Sequence, residues 1–308
     1  MISFFKLIRY KNLLMVLGTM VLTKYALIHS FVAQSCLTSL EFSILALSVV
    51  FITAGGYLIN DIFDVDVDKI NKPNKVFIGY SIALKNAWFF YFFFTFCGLI
   101  LGVFLSFYVG LAHFSAIFIC TSFSLFLYAY YFKKKLLIGN LLISFCVSLT
   151  IYIVYLFDFK YIPLSSFSID EQTNSMLHFN VWLSISVYLL ISFVSTLSRE
   201  IIKDMEDLNG DYAKGMKTLP IVFGRKTASN LAFFFAFILF LGLFISVRYV
   251  YSMNLYNMYP FVFILLPLLY FLYKLWISKT KKDYHFLSNL MKVIMLFGIL
   301  SMLLFQFQ

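Results

Sequence analysis

Nine apolar runs, each close to the length needed to cross a lipid bilayer, limit the folds open to this sequence more than any other feature. A transmembrane helix needs about 20 mainly apolar residues, and it satisfies its backbone hydrogen bonds internally. Charged residues make up only 12% of the chain, against about 25% in soluble domains. The sequence therefore predicts an all-α, polytopic membrane protein with about nine transmembrane helices. The predicted spans are 13–33, 42–60, 87–108, 111–131, 137–157, 180–200, 229–248, 259–277 and 289–306.

The distribution of Lys and Arg predicts how these helices are oriented, because positive residues are enriched in cytoplasmic connections. With the N-terminus in the cytoplasm, all but three of the 24 Lys and Arg residues fall on the cytoplasmic side, the exceptions being Lys24, Lys160 and Arg248. We therefore expect a multi-pass protein of the cell (inner, cytoplasmic) membrane. The net charge of +10 then needs no nucleic-acid partner. No stretch suggests a separate soluble domain, so residues 1–308 are expected to form one integral-membrane domain.

Four Asp residues stand in the first acidic stretch, which follows the second predicted span. On a helix, Asp61, Asp64 and Asp68 are spaced i, i+3 and i+7, so they share one face, whereas Asp66 points elsewhere. Three like charges on one face repel each other, and a divalent cation would neutralise them. The stretch therefore predicts a metal site where a membrane helix meets water.

A second acidic stretch follows the sixth predicted span and repeats this spacing in Asp204, Asp207 and Asp211. Nine of the 14 acidic residues lie in the two stretches. Both stretches follow an even-numbered span, so both emerge on the cytoplasmic side. We expect them to belong to cytoplasmic loops, 61–86 and 201–228, and we expect the six spaced aspartates to act together as metal ligands and catalytic residues.

The chemistry that needs two such stretches is the handling of a diphosphate by Mg²⁺. Mg²⁺ is usually bound by one or two carboxylates and by phosphate oxygens, and it neutralises charge that builds on a leaving group. The apolar helices would hold an isoprenoid tail and shield an allylic cation from water. Basic residues of the same stretches are expected to contact the phosphates, namely Lys72, Lys75, Arg199, Lys203, Lys214, Lys217 and Arg225.

Two further sets of residues are interpreted without a catalytic role. The run Lys133-Lys134-Lys135 needs no explanation beyond membrane orientation. The four histidines, including His285, lie far from both acidic stretches by sequence or by topology.

The segment Asn60-Asp61-x-x-Asp64-x-x-x-Asp68 resembles the first signature of the UbiA superfamily of intramembrane prenyltransferases, and Asp204 to Asp211 resembles its second. Arg9-x-x-Asn12, before the first span, adds to a resemblance that covers most of the chain. The resemblance implies nine helices around a central cavity and Mg²⁺-dependent transfer of a prenyl group from a prenyl diphosphate to an acceptor. By motif position, it adds Asn60 and Asn12 to the expected substrate-binding residues.

The choice of acceptor depends on the residues around the two signatures. The segments DKINKPN and REIIKDMEDLNGDYAKGMKTLP most resemble members of the superfamily that act on geranylgeranylglycerol phosphate. This implies geranylgeranyl diphosphate as the donor and a membrane-associated lipid precursor as the acceptor. An aromatic quinone precursor of the 4-hydroxybenzoate or dihydroxynaphthoate type is the alternative acceptor, because fold and donor chemistry do not fix the acceptor.

Two other classes of membrane protein also place acidic residues near a membrane. A CDP-alcohol phosphotransferase would carry Asp-Gly and Ala-Arg in a single acidic block, and neither pair occurs near Asp61. A cation transporter would hold ionisable residues near the bilayer centre, whereas the interiors of the predicted spans are almost free of charge here, with Lys24 the exception, and the acidic residues lie at one interface. Both classes are therefore less favoured than a prenyltransferase.

Overall fold

The computed structural model describes residues 2–32, 36–73, 76–158, 171–250 and 258–307. Within these ranges the chain is helical almost throughout, no strand forms, and an isolated bridge joins Ile78 to Ile82. The helices are α1 (Ile2–Leu7), α2 (Tyr10–Phe31), α3 (Ser39–Asn71), α4 (Leu84–Tyr108), α5 (Ala112–Tyr130), α6 (Ile138–Asp158), α7 (Glu171–Ala213), α8 (Leu219–Val222), α9 (Gly224–Val250), α10 (Met258–Ile277) and α11 (Lys281–Phe307).

Nine helices among the described residues are long and apolar enough to cross a membrane. They are α2 to α7 and α9 to α11, and each coincides with one predicted span. The prediction of an all-α membrane protein with about nine spans is therefore confirmed.

Both acidic stretches lie on helices that continue beyond the predicted spans. Helix α3 begins at a capping box formed by Thr38 and Glu41 and runs to Asn71, where Lys72 and Pro73 end it. Helix α7 runs to Ala213, and Gly215 follows with a φ of 67°, a conformation that suits glycine after a helix end. The loop boundaries predicted at residues 61 and 201 are therefore wrong, since the aspartates stand on helix ends instead.

The described chain divides into two compact units. The first comprises Met1–Gly18, Leu37–Leu142 and Asn209–Thr218, and the second comprises Thr19–Cys36, Ile143–Leu208 and Leu219–Gln308. The prediction of one integral-membrane domain stays a prediction.

Small residues allow close helix packing in the first unit. A Cβ atom on Gly98 of α4 would lie 2.9 Å from the Ser48 carbonyl oxygen of α3, and one on Gly102 would lie 2.6 Å from the Phe118 ring of α5. The Ser48 hydroxyl donates a hydrogen bond to the Gly98 carbonyl oxygen at 2.7 Å. Small residues and short polar side chains are the usual means of close helix contact in membranes. Helix α3, which carries the first acidic stretch, thereby packs closely against α4.

Polar contacts also join helices in the second unit. The Lys24 Nζ on α2 donates to Asp158 Oδ1 at the end of α6 over 2.8 Å, and both side chains are almost fully buried. The Ser198 hydroxyl on α7 donates to the carbonyl oxygen of Ala232 on α9 at 3.1 Å. The second contact lies directly before the second acidic stretch and fixes the segment of α7 that leads into it.

Candidate active site

Asp61, the first carboxylate of the acidic face on α3, is paired with Arg9. Arg9 lies between α1 and α2 with a φ of 53°, which few residues other than glycine adopt. Its Nη2 donates to Asp61 Oδ1 at 2.6 Å, and its guanidinium carbon lies 5.0 Å from the centre of the Tyr57 ring. The negative charge of Asp61 raises the pKa of Arg9, although burial opposes the shift. This backbone conformation thus brings a permanent positive charge to the acidic face.

Asp64 lies one turn further along α3 and is buried. Asn60 Nδ2 donates to Asp64 Oδ2 at 2.7 Å, and the Lys133 ammonium forms an ion pair with the same oxygen. Burial lowers the pKa of Lys133, but the negative charges of Asp64 and Asp211 raise it, and the net pKa lies above the ordinary lysine value. Lys133 therefore carries its positive charge at neutral pH and interacts with carboxylates of both acidic stretches.

Asp68 completes the first acidic face. It interacts electrostatically with the other two carboxylates of this face and with the ammonium groups of Lys133 and Lys72. The Lys72 backbone N–H also donates to the Asp68 carbonyl oxygen at 2.7 Å. The three carboxylates therefore share one side of α3, as their spacing predicts, and Lys72 lies beside them.

The end of α7 reaches this face within the first unit. The backbone N–H of Gly210 donates to Asn71 Oδ1 at 2.9 Å, and both residues are buried. Asp211, the next residue, is also buried and interacts with Lys133. The last carboxylate of the second acidic stretch is thereby brought to the carboxylates of the first.

Two more contacts hold the residues that follow Asp211. Lys214 Nζ lies 3.4 Å from Asp66 Oδ2, the carboxylate that points away from the acidic face. The Lys217 backbone N–H donates to the Lys134 carbonyl oxygen at 3.0 Å. Lys214 and Lys217 were both predicted to bind phosphate. They thus lie in a segment of the first unit that contacts the rest of that unit at Asn71, Asp66 and Lys134.

The rest of the second acidic stretch belongs to the second unit. Asp204 and Asp207 lie on the same continuous helix as Asp211, so the spacing of three and four residues puts the three side chains along one face of α7. Arg199 Nη1 donates to Glu200 Oε1 at 2.7 Å, and Lys203 Nζ donates to Glu200 Oε2 at 2.8 Å. Glu200 therefore holds two predicted phosphate-binding cations one turn before the aspartates.

Comparison with known proteins identifies the family to which this fold and these helix ends belong. The sequence pattern of the UbiA prenyltransferase family matches residues 14–297, which is most of the chain. The chain belongs to the UbiA prenyltransferase family. It is therefore an enzyme that transfers prenyl groups, as the resemblance of the two acidic stretches implied, and neither a CDP-alcohol phosphotransferase nor a cation transporter is supported.

Individual relatives of this UbiA family prenyltransferase agree in sequence and in fold. The digeranylgeranylglyceryl phosphate synthase of Methanosphaera stadtmanae is 30% identical over 259 residues, covering 83% of this chain and 84% of that protein. A solved structure described as concerning digeranylgeranylglyceryl phosphate synthase in membranes superposes with a TM-score of 0.66 at 24% identity, covering 98% of this chain and 96% of that one. A UbiA homolog from Archaeoglobus fulgidus, bound to GPP and Mg²⁺, has a TM-score of 0.61 at 15% identity and covers 97% of this chain and 99% of that one.

The structure corrects two interpretations of basic residues in this prenyltransferase. Lys133 was explained by membrane orientation alone, yet its ammonium group contacts Asp64. His285 was placed far from both acidic stretches, yet its Nδ1 lies 2.9 Å from Glu206 Oε1, between Asp204 and Asp207 in sequence. Both interpretations were wrong because sequence distance does not limit which helix ends meet. The only sequence signal that could have pointed to either residue was a basic side chain near the end of another predicted span.

The other residues that the sequence predicted to bind substrate or metal differ in what the structure shows of them. Asn12 lies half-buried at the start of α2, with its backbone N–H on the Arg9 carbonyl oxygen at 2.8 Å. Lys75 lies outside the described residues. Among the residues that are described, no three His, Cys, Asp or Glu side chains stand close enough together to hold a metal ion. The metal site therefore stays a prediction, and its first two carboxylates are paired with Arg9 and Lys133.

Proposed function

We propose that this prenyltransferase transfers a geranylgeranyl group from geranylgeranyl diphosphate to geranylgeranylglycerol phosphate. The allylic carbon–oxygen bond of the donor breaks, and diphosphate leaves with the bonding electrons. A new carbon–oxygen bond forms to the free hydroxyl of the acceptor, which loses its proton. The name of the Methanosphaera stadtmanae relative supports this acceptor. The observation that carries the proposal is that the Lys133 ammonium pairs with Asp64 and also interacts electrostatically with Asp211, so that it faces one carboxylate from each acidic stretch.

The aspartates suit Mg²⁺ because their donors are all carboxylate oxygens, the hard ligands that this ion prefers. The proposed ligands are Asp61, Asp64, Asp68, Asp204, Asp207 and Asp211. Mg²⁺, when bound there, neutralises charge that develops on the departing diphosphate. The Archaeoglobus fulgidus homolog, which was solved with GPP and Mg²⁺, supports this assignment.

The basic residues beside the aspartates are proposed to bind the diphosphate. Arg9 and Lys133 each hold a carboxylate oxygen, and the same cations can contact phosphate oxygens, Arg9 with two parallel N–H groups. We propose the same role for Lys72, Lys75, Arg199, Lys203, Lys214 and Lys217, with Asn60 and Asn12 as polar substrate contacts. The Lys and Arg distribution supports a cytoplasmic location for this site in the cell membrane.

The test measures transfer by the purified protein in lipid nanodiscs. Geranylgeranyl diphosphate is supplied with geranylgeranylglycerol phosphate, 4-hydroxybenzoate or dihydroxynaphthoate, and the products are identified by mass spectrometry with Mg²⁺ or with excess EDTA. We expect Mg²⁺-dependent diphosphate release and a doubly alkylated glycerol phosphate. Transfer to an aromatic acceptor in preference would replace the proposed acceptor, and release that survives EDTA would contradict the role of Mg²⁺.

Three variants connect this activity to the proposed site. Asp61→Ala and Asp207→Ala should abolish transfer while the protein still inserts in the membrane, because both residues lie at helix ends. Asp66→Ala is the matched control, because its carboxylate stands in the same stretch but points away from the acidic face and is exposed. We expect the control to keep Mg²⁺-dependent transfer, with at most a small loss from its exposed contact with Lys214. Normal transfer by Asp61→Ala would remove Asp61 from the site.

A further inference from the structure

The contact between Asn71 and Gly210 is a direct connection between the two acidic stretches. Asn71 is the last residue of α3 and stands three residues after Asp68, and Gly210 immediately precedes Asp211. The amide oxygen of Asn71 accepts the backbone N–H of Gly210 at 2.9 Å. A side chain that holds a backbone group allows little variation in distance, because no flexible second side chain intervenes.

Gly210 makes this approach sterically possible. A Cβ atom at this position would lie 2.5 Å from Asn71 Nδ2 and 2.6 Å from its Cγ. Real Cβ contacts of this length do not occur, so with any larger residue the Asn71 side chain must swing away or the two helix ends must separate, and the hydrogen bond is lost in either case. The requirement for glycine is specific to this position. A Cβ atom on Gly242, another glycine in a helix of this chain, would meet nothing within 4 Å.

We propose that the Asn71–Gly210 contact is a positioning device for catalysis, in which Asn71 and Gly210 fix how far Asp211 stands from the carboxylates of α3. This inference rests on the proposed Mg²⁺–diphosphate function. Neither residue touches the substrate in this role. They act through Asp211, which interacts electrostatically with the same Lys133 ammonium that pairs with Asp64. Mg²⁺ demands near-ideal octahedral geometry, so a shift of this carboxylate weakens metal binding more than it weakens the fold.

The substitutions that test the contact act on either side of it. Asn71→Ala removes the acceptor, and Gly210→Ala introduces the clashing methyl group. Asn71→Asp keeps an oxygen in the place of Oδ1. In the double variant N71A/G210A, the shortened side chain leaves room for the methyl group. Gly242→Ala, on α9 and outside the site, is the matched control for glycine replacement in a helix.

The experiment titrates Mg²⁺ in the nanodisc transfer assay and records the unfolding temperature of each variant. We expect Asn71→Ala and Gly210→Ala to raise the Mg²⁺ concentration for half-maximal transfer about tenfold or more, as outer-shell substitutions at metal sites do. Asn71→Asp should restore most of the wild-type Mg²⁺ requirement. The double variant should be no worse than Asn71→Ala, because the two substitutions affect one contact. Gly242→Ala should match the wild type.

Asn71→Ala decides the outcome even where Gly210→Ala does not fold. An unchanged Mg²⁺ requirement in Asn71→Ala overturns the inference. A lower unfolding temperature with an unchanged Mg²⁺ requirement also overturns it, because the contact would then be structural only. A wild type that neither transfers a prenyl group nor binds Mg²⁺ with inorganic diphosphate contradicts the proposed function, and the inference fails with it. Transfer and Mg²⁺ binding by the wild type therefore show whether the proposed function has failed or only the positioning role of the Asn71–Gly210 contact.

Discussion

Three consecutive lysines show how differently identical residues are used at one helix connection. Lys133 forms an ion pair with the buried Asp64, the carbonyl oxygen of Lys134 accepts a hydrogen bond from Lys217, and Lys135 Nζ lies 4.6 Å from the centre of the Tyr131 ring. Membrane orientation explains the run as a whole but does not distinguish its members. The role of Lys133 depends on which helix end lies opposite, and that is information the local sequence does not contain.

Replacing Lys133 by methionine should impair catalysis far more than the same change at Lys135. The substitution removes the cation that interacts with carboxylates of both acidic stretches. Loss of one preorganised electrostatic group at an active site typically costs about 100-fold to 1,000-fold in rate, and we expect a decrease of that order in kcat/KM for geranylgeranyl diphosphate. Lys135→Met is the control and should stay within about twofold of the wild type.

Equal effects of the two substitutions on kcat/KM would contradict this prediction. The control is matched because both side chains leave the same connection and lose the same charge. An equal loss would mean that the positive charge of the connection, rather than the Lys133 contact with Asp64, supports the reaction. The measurement requires the amount of inserted protein to be equal in both variants.

Arg9 is a second residue whose place in the site could not be predicted. The sequence indicated Arg9-x-x-Asn12 as part of the family resemblance, but only Asn12 was expected to bind substrate. The φ of 53° that directs Arg9 toward Asp61 is a conformation that sequence rules assign to glycine. Such strain is typical of functional sites, where the surrounding structure enforces it.

At the scale of helices, hydropathy located the spans but not the true helix ends. The predicted spans end at residues 60 and 200 because charged residues begin there, whereas α3 and α7 continue to Asn71 and Ala213. Charge ends a hydrophobic run without ending a helix, since Asp, Lys and Glu are all tolerated in helical conformation. The ends are instead set by Pro73 and by Gly215, both of which are visible in the sequence.

The buried ion pair between Lys24 and Asp158 joins α2 to α6 in the second unit. Its side chains are 1% and 0% exposed. Removing one partner of a buried pair leaves an uncompensated charge and typically costs about 3–5 kcal/mol, whereas replacing both by apolar residues is often neutral. We therefore expect Lys24→Met to lower the unfolding temperature in detergent strongly, and the double variant K24M/D158L to regain most of the loss.

An exposed ion pair of this protein provides the control for that measurement. Lys69 lies 3.2 Å from Asp66, and their side chains are 50% and 64% exposed. Exposed pairs contribute about 0–1 kcal/mol, so Lys69→Met should leave the unfolding temperature nearly unchanged. A double variant K24M/D158L that is less stable than Lys24→Met would show that the pair stabilises the fold beyond balancing its own charges.

At the scale of the whole molecule, the all-α fold class and the number of membrane-spanning helices among the described residues could be predicted from the sequence, because the bilayer fixes the length of each span. The contacts that build the site did not follow. Gly98 and Gly210 are unremarkable in sequence, yet each sits where a Cβ atom would collide with another helix. Such positions depend on tertiary packing, and a single sequence gives no measure of it. The two repeated aspartate spacings were the exception, because helical periodicity alone places those side chains on one face.

Membrane orientation is the property of the whole molecule that the charge distribution predicts and that a labelling experiment can check. With the N-terminus in the cytoplasm, the connection after α4 lies outside the cell and the connection after α10 lies inside. Single cysteines replacing Tyr108 and Lys279, both exposed, report on these two sides. The background carries serine at the native cysteines, which are Cys36, Cys97, Cys120 and Cys146.

A membrane-impermeant maleimide should label Tyr108→Cys in intact cells and Lys279→Cys only after the membrane is opened. The physical reason is that lysines and arginines near span ends are retained on the cytoplasmic side, and all but three of the 24 such residues sort there under this orientation. The reverse labelling pattern would place both acidic helix ends outside the cell and would contradict the proposed cytoplasmic location of the site. Labelling of both cysteines in intact cells would instead mean that an even number of spans separates the two positions, whereas five of the described helices that could cross a membrane lie between them.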